Sequence, residues 1–304
     1  MSRQIVTILL FVFVTSCYHR AYLFTSFKEP ANEGLRMLYS KDGYNWQRFD
    51  TVLLKPMIGK DKIMRDPSMI QSPDGTFHLV WTTEWKGGNG FGYASSRDLI
   101  SWTEQQYIPV MQHEPTVVNV WAPELFYDDE AQQYIIIWAS CIPGRFEKGI
   151  EEDSNNHRMY YVMTKDFKAF SETKLFLDPK FSVIDAVIVK RATKDYVLVL
   201  KDNTRPERNI KVAFADNPLG PWKNISKPFS GQFTEGPAVV KVKDEWLIYF
   251  DSYQKKIYEA VKTKDFVQFK NITESIKVPE AHKHGTIITV KRKFAKQLKS
   301  NLKK

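Results

Sequence analysis

The stretch S-R-D-L-I-S-W, Ser96–Trp102, sets an aspartate just past one apolar strand and a tryptophan just ahead of the next. Taken alone it is an ordinary turn. It recurs as S-K-D-G-Y-N-W (Ser40–Trp46), T-K-D-F-K-A-F (Thr164–Phe170), A-D-N-P-L-G-P-W (Ala215–Trp222) and T-K-D-F-V-Q-F (Thr263–Phe269). Five copies, roughly fifty to seventy residues apart, predict a repeat architecture whose aromatic side chains pack between neighbouring units.

Working outward from each copy, every unit reads as four strands. In one, S-M-I is followed by F-H-L-V-W-T-T (Phe77–Thr83), F-G-Y-A-S (Phe91–Ser95), the turn, and a last short strand. Four-stranded units repeated about an axis are propeller blades. The fifth unit is divided. His284–Ile288 supplies its first strand, and Tyr22–Phe27 with Leu35–Ser40 supply the others, which closes the ring and removes a free edge. A two-sheet sandwich explains neither the five copies nor the split. The prediction is an all-β, five-bladed β-propeller, its ring closed by N-terminal strands pairing with the C-terminal strand.

A second motif runs out of phase with the first. M-R-D-P-S-M-I (Met64–Ile70) places Asp66 at the entrance to an apolar strand, although aspartate is a poor strand residue. W-A-P-E-L-F-Y does the same with Glu124, I-D-A-V-I-V with Asp185, T-E-G-P-A-V-V with Glu235, and H-G-T-I-I with His284. First strands of blades line the central channel, so these five groups are expected in matching positions around one mouth. Gathered carboxylates repel one another and resist ionisation when desolvated, which pushes one pKa up while another stays low. That split is the division of labour between a general acid and a general base in glycoside hydrolysis. One such residue alone would be read as a turn cap paired with Arg or Lys.

The remaining composition narrows the alternatives. The chain has 304 residues, 43% hydrophobic and 14% aromatic, enough for one large core. Its net charge of +9 is concentrated in residues 291–304, which hold seven basic residues and no acidic one. No basic stripe or nucleic-acid motif runs through the body, so nucleic acid is not an expected partner. The tail reads as a solvated end. Phe294, Leu298 and Leu302 at i, i+4 and i+8 also allow a weak amphipathic helix on an anionic membrane surface. At the other end, Ser2-Arg3-Gln4 and the apolar run Ile5–Val14 form a targeting segment too short to span a bilayer. It ends in V-T-S-C, Val14–Cys17, which resembles a lipobox. Residues 1–16 then read as a lipoprotein signal peptide, 17–290 as the propeller and 291–304 as a basic tail. Cys17 would carry the lipid and hold a monomer at the bacterial cell envelope, in the periplasm or at the outer membrane. Cys141, the one other cysteine, is expected to be a buried free thiol.

The five entrance motifs in this order resemble glycoside hydrolase family 43, over nearly all of the mature chain. The resemblance implies a five-bladed propeller that hydrolyses arabinosides, xylosides or galactosides with inversion. Asp66 matches the catalytic base, Asp185 the aspartate that orients the acid and raises its pKa, and Glu235 the general acid. Trp121 would shape the sugar pocket, while Glu124 replaces the aspartate of the usual W-A-P-D. Trp85, Arg65 and Lys201 are further candidate substrate contacts. Lys201, Asp202 and Arg205 of K-D-N-T-R-P-E either touch substrate or form structural ion pairs. His284 either approaches a calcium ion in the channel, mainly through water, or hydrogen-bonds to Asp66 or Glu235; no cofactor is otherwise required. The insertion Gly144–Asn156 either walls the pocket, favouring exo action, or is a flexible surface loop. Some forty residues precede the base-bearing strand, as in a branch that resembles α-L-arabinofuranosidases and exo-acting β-galactosidases. The alternative is a catalytically inactive carbohydrate-binding lipoprotein using Trp85, Trp121 and Trp138 as platforms.

Overall fold

A computed structural model describes residues 19–302. Cys17 and the segment before it lie outside the described residues. Strands β1 (Arg20–Ser26), β2 (Arg36–Ser40) and β3 (Trp46–Arg48) pair as an antiparallel meander. β4 (Arg65–Gln71), β5 (Phe77–Thr82), β6 (Gly90–Ser96) and β7 (Gln106–Pro109) form the next sheet. β8 (Trp121–Asp128), β9 (Gln133–Cys141), β10 (His157–Thr164) and β11 (Lys174–Leu177) follow. The next blade holds β12 (Val183–Ala192), β13 (Asp195–Asp202) and β14 (Asn209–Ala215), and its fourth place is taken by a bridge from Phe214 to Lys223. β15 (Thr234–Val242), β16 (Glu245–Ser252), β17 (Ile257–Thr263) and β18 (Lys270–Asn271) complete another. β19 (Ile287–Lys291) then pairs antiparallel with β1, Arg20 opposite Lys291, giving the order β19-β1-β2-β3. The predicted five-bladed propeller and its closure by both ends of the fold are observed.

The repeated turn is closed by its own side chain. Asp98 Oδ1 accepts the N–H groups of Ile100 and Ser101, and Asp42, Asp166 and Asp265 do the same in their copies. In the remaining copy Asn217 accepts from Leu219. The aromatic that ends each copy enters a different hydrophobic cluster between adjacent blades. Trp102, Phe170, Trp222, Phe269 and Trp46 serve the five clusters in turn. Each repeat therefore glues its blade to the one before it.

The basic tail differs from expectation. Arg292–Asn301 forms helix α1, with Ala295 and Leu298 buried. Phe294 lies 5.1 Å from the Phe77 ring, and Leu302 joins the same cluster. The predicted apolar stripe exists, but it covers the propeller core, so it is neither a solvated end nor a face free for a membrane. No helix of the described residues is long and apolar enough to cross a membrane. Cys141 is a buried free thiol whose burial pushes its pKa up to about 11.

Candidate active site

Every blade carries the same backbone defect at the same height. Along β4 the pairing passes from Arg65–Thr82 to Ser68–Val80, so Asp66 and Pro67 face one residue, Trp81. β8 repeats this between Trp121–Ala139 and Glu124–Ile137, β12 between Ile184–Lys201 and Val187–Val199, and β15 between Glu235–Asp251 and Ala238–Tyr249. These are β-bulges, which re-aim side chains at strand ends. Their first residue takes a left-handed φ each time: 50° at Asp66, 46° at Ala122, 51° at Asp185 and 58° at Gly236. The fifth blade has the same register without the left-handed φ. Lys283 bridges Phe27, and Thr286 donates its N–H to Thr25 Oγ1, leaving His284 and Gly285 opposite Ser26.

The bulge frame corrects the expectation of five matching positions. Asp66, Asp185 and His284 are equivalent, together with Ala122 and Gly236. Glu235 stands one residue earlier, level with Arg65, Trp121 and Ile184. Glu124 stands two residues later, level with Ser68 and Thr286. The acids form a staircase into the channel. Gly236 is required by this frame, because a Cβ there would lie 1.9 Å from Cγ of the His284 ring.

Each acid has a distinct setting. Asp66 Oδ1 lies 3.0 Å from His284 Nε2, and Oδ2 accepts from the Thr82 hydroxyl at 2.9 Å. Burial alone would raise its pKa, but His284, Arg65 and Thr82 outweigh burial and hold it below 3.8. Asp185 Oδ2 accepts the Gly236 N–H at 3.0 Å. Burial, with the Glu235 and Asp66 charges, raises its pKa above 3.8 despite the pull of His284 and Lys201. Glu235 Oε2 accepts from Lys201 Nζ at 3.0 Å. Burial works against its charge, yet Lys201 and His284 hold its pKa below 4.5. Glu124 accepts from the Thr286 hydroxyl at 3.2 Å, and burial pushes its pKa up to about 7. Burial opposes a charge on His284, but the Asp251, Asp66 and Asp185 carboxylates raise its pKa well above 6.5.

An aromatic wall rises beside this cluster. The Arg65 guanidinium sits 4.6 Å from the Trp85 ring centroid and is held by Glu29 at 2.8 Å. Trp85 packs on Trp121 at 4.7 Å, and Trp121 stacks on His157 at 5.0 Å. Trp121 Nε1 donates to the Trp85 carbonyl, which fixes the pair. Trp85 is 48% exposed, whereas Trp138 is wholly buried and cannot act as a platform. Of the K-D-N-T-R-P-E residues, Lys201 alone reaches the acids. Asp202 pairs with Lys211, and Arg205 with Glu151 and Glu152. That last pair ties down the Gly144–Asn156 insertion, as does the Asn155 carbonyl, which accepts from His157 Nδ1 at 3.0 Å. The insertion is an ordered rim at the mouth end of β9.

Asp251 and Thr82 were not anticipated. Both lie within the last two residues of second strands and pair with the residue just before a bulge, Glu235 and Arg65 respectively, as Lys201 pairs with Ile184. A polar residue ending an otherwise apolar strand, as in W-L-I-Y-F-D, is the signal. Asp251 also bears on the calcium expectation. Glu235, Asp251 and His284 bring one potential ligand atom each within 4.8 Å of one another, and His284 Nδ1 has no hydrogen-bond partner. Both carboxylates, however, are already neutralised, Glu235 by Lys201 at 3.0 Å and Asp251 by Lys283 at 2.7 Å. Calcium takes six to eight oxygen ligands; here the three side chains offer one imidazole and two carboxylates, each of which already holds an ammonium group. These residues do not fit a resident calcium ion.

Comparison with known proteins agrees with this fold. Residues 18–295 match the family model described as "Probable glycosyl hydrolase domain", related to glycosyl hydrolase family 43. An α-L-arabinofuranosidase of Bifidobacterium longum is 22% identical over 148 residues, covering 42% of this chain and 14% of its own length. The chain thus spans only a small part of that relative. Among solved structures, an endo-1,4-β-xylanase from Bacteroides thetaiotaomicron superposes with a TM-score of 0.60 at 15% identity, over 90% of this chain and 95% of that one. A family 43 β-1,3-galactosidase with galactodeoxynojirimycin gives 0.59 at 15% identity, over 83% and 90%. At such identity these structures speak for the fold, while the family match spans nearly every described residue: the chain belongs to the family 43-related glycosyl hydrolases.

Proposed function

We propose that the protein is an inverting exo-glycosidase acting on arabinose- or galactose-containing plant-type glycans. The observation that carries this reading is the staircase of Asp66, Asp185 and Glu235 at one channel mouth, each in a different electrostatic setting. Asp66, kept ionised by His284 and Thr82, is the general base that takes a proton from water on one face of the sugar. The Glu235 charge helps raise the pKa of Asp185. Burial favours a proton on either acid, while Lys201 holds the negative charge on Glu235. A sugar seated in the pocket excludes water, strengthens the burial contribution, and favours the proton that Glu235 passes to the leaving oxygen. The exposed Trp85 offers apolar ring surface to a sugar, and Trp121, packed between Trp85 and His157, holds it in place. The tied-down 144–156 rim supports a closed-ended pocket and exo action.

The test is a panel of aryl α-L-arabinofuranosides, β-D-galactosides and β-D-xylosides, with proton NMR of the first-formed anomer. Inverted product, and loss of turnover in Asp66→Asn by about 10²–10⁴-fold, are expected. Retained configuration, or an unaffected Asp66→Asn enzyme, sinks the assignment. We also infer that Cys17 anchors the protein at a bacterial cell envelope, on the strength of V-T-S-C after the Ile5–Val14 run. Incorporation of labelled palmitate that persists in Cys17→Ser would overturn this.

A further inference from the structure

We propose that Lys201 and Lys283 supply the counter-charge for the channel carboxylates, so that the site works with no divalent cation, and that Lys283 positions His284 through Asp251. The inference rests on the reading of Asp66 and Glu235 as the working carboxylates.

Both lysines are fixed by the blade ladders. Lys201 lies opposite Ile184, the residue before the bulge of the β12 blade, and Lys283 is itself the residue before the bulge of the closing blade. Lys201 is 2% exposed and its ammonium sits 5.3 Å from the Tyr253 ring centroid, so it cannot swing into solvent without losing both contacts. Lys283 Nζ reaches Asp251 Oδ2 at 2.7 Å. The same Oδ2 lies 4.0 Å from His284 Nδ1, and His284 Nε2 lies 3.0 Å from Asp66 Oδ1. A line of alternating charge therefore runs from Lys283 through Asp251 and His284 to Asp66. The groups facing His284 are Asp66 from β4, Asp185 from β12, Glu235 from β15 and Asp251 from β16, with Arg65 and Lys201 behind them. An ion entering between Glu235, Asp251 and His284 would have to compete with two ammonium groups for the carboxylate oxygens. It would also lie against an imidazole surrounded by carboxylates that favour its positive form. The positive charge a metal would bring is already part of the chain.

The experiment has one arm that needs no substrate. Calorimetric titration of EDTA-dialysed full-length protein with calcium chloride should show no binding up to millimolar concentration. One-to-one binding of calcium at micromolar concentration overturns the proposal, whatever the enzyme's substrate. In the activity arm, kcat/KM should change less than twofold between EDTA and added calcium. Lys283→Met should lose at least tenfold in kcat/KM with an unaltered melting curve, and Lys283→Arg should recover most of that loss. A Lys283→Met protein as active as wild type, or a wild type that needs calcium, refutes it. Calcium-free protein that binds no calcium and hydrolyses no glycoside would instead overturn the glycosidase reading and leave the counter-charge assignment standing.

Discussion

Lys201 Nζ lies 3.0 Å from Glu235 Oε2, and the two meet across the blade interface between β13 and β15. The pair holds Glu235 below its ordinary pKa against the opposing effect of burial. Lys201→Met removes that hold, so Glu235 keeps its proton to higher pH. The alkaline limb of the kcat/KM profile should then move upward, read from initial rates between pH 4 and 10. An unchanged limb would show that Glu235 is not the proton donor.

Glu124 makes an opposite prediction for stability. Burial raises its pKa from 4.5 to about 7. The folded protein therefore binds more protons than the unfolded chain between those values, and stability is lost as pH rises through that window. Glu124→Gln abolishes this loss, worth roughly 2–4 kcal/mol. The variant should match wild type near pH 4 and melt at a higher temperature at pH 8.5. Equal melting temperatures at pH 8.5 would show that the carboxyl is solvated.

Gly236→Ala should be among the most damaging single-methyl additions in the chain. Its φ of 58° is left-handed and the new Cβ would fall 1.9 Å from the His284 ring. The backbone strain alone costs more than about 1 kcal/mol, and His284 must also leave Asp66. Thermal unfolding should show a drop of several degrees, with turnover falling together with it.

Trp85 is the exposed tryptophan of the Arg65–Trp85–Trp121–His157 stack, with Arg65 and Trp121 against its ring. Trp85→Ala should raise KM for oligosaccharides roughly tenfold, equivalent to about 1.4 kcal/mol of lost stacking. Its kcat should be nearly unchanged, because the carboxylates are untouched. A fall confined to kcat would place Trp85 in the chemistry instead of in substrate holding.

The fold was legible because its signals are local. An aspartate that closes its own turn, as Asp98 does through Ile100 and Ser101, is decided within four residues. Asp66, Asp185, Glu235 and His284 were legible as a group because each breaks an apolar pattern. Their stagger was not, since the place of a bulge depends on register with a partner strand, and T-E-G-P does not say whether Glu235 or Gly236 occupies it. Asp251 hid at the end of W-L-I-Y-F-D, where its relation to Lys283 and His284 comes from other parts of the ring. The Phe294–Leu298–Leu302 spacing showed an apolar stripe but not what it covers, because its partner Phe77 is far away in sequence and reaches it only through the neighbouring blade.

Closure by β19 has a consequence for the order in which the ring is completed. Thr25 and Thr286, joined by hydrogen bonds, are 261 positions apart. Until they meet, β1 has one edge bare while the four other blades can form from contacts nearer in the chain. An unpaired edge strand invites pairing with another chain, and contacts this remote form slowly. His284 lies in the same closing segment, so the channel charges come together only when the ring does. A partly folded chain in which this segment is undocked carries Asp66, Asp185 and Glu235 without His284 beside them, so the ring and the site are completed in the same step.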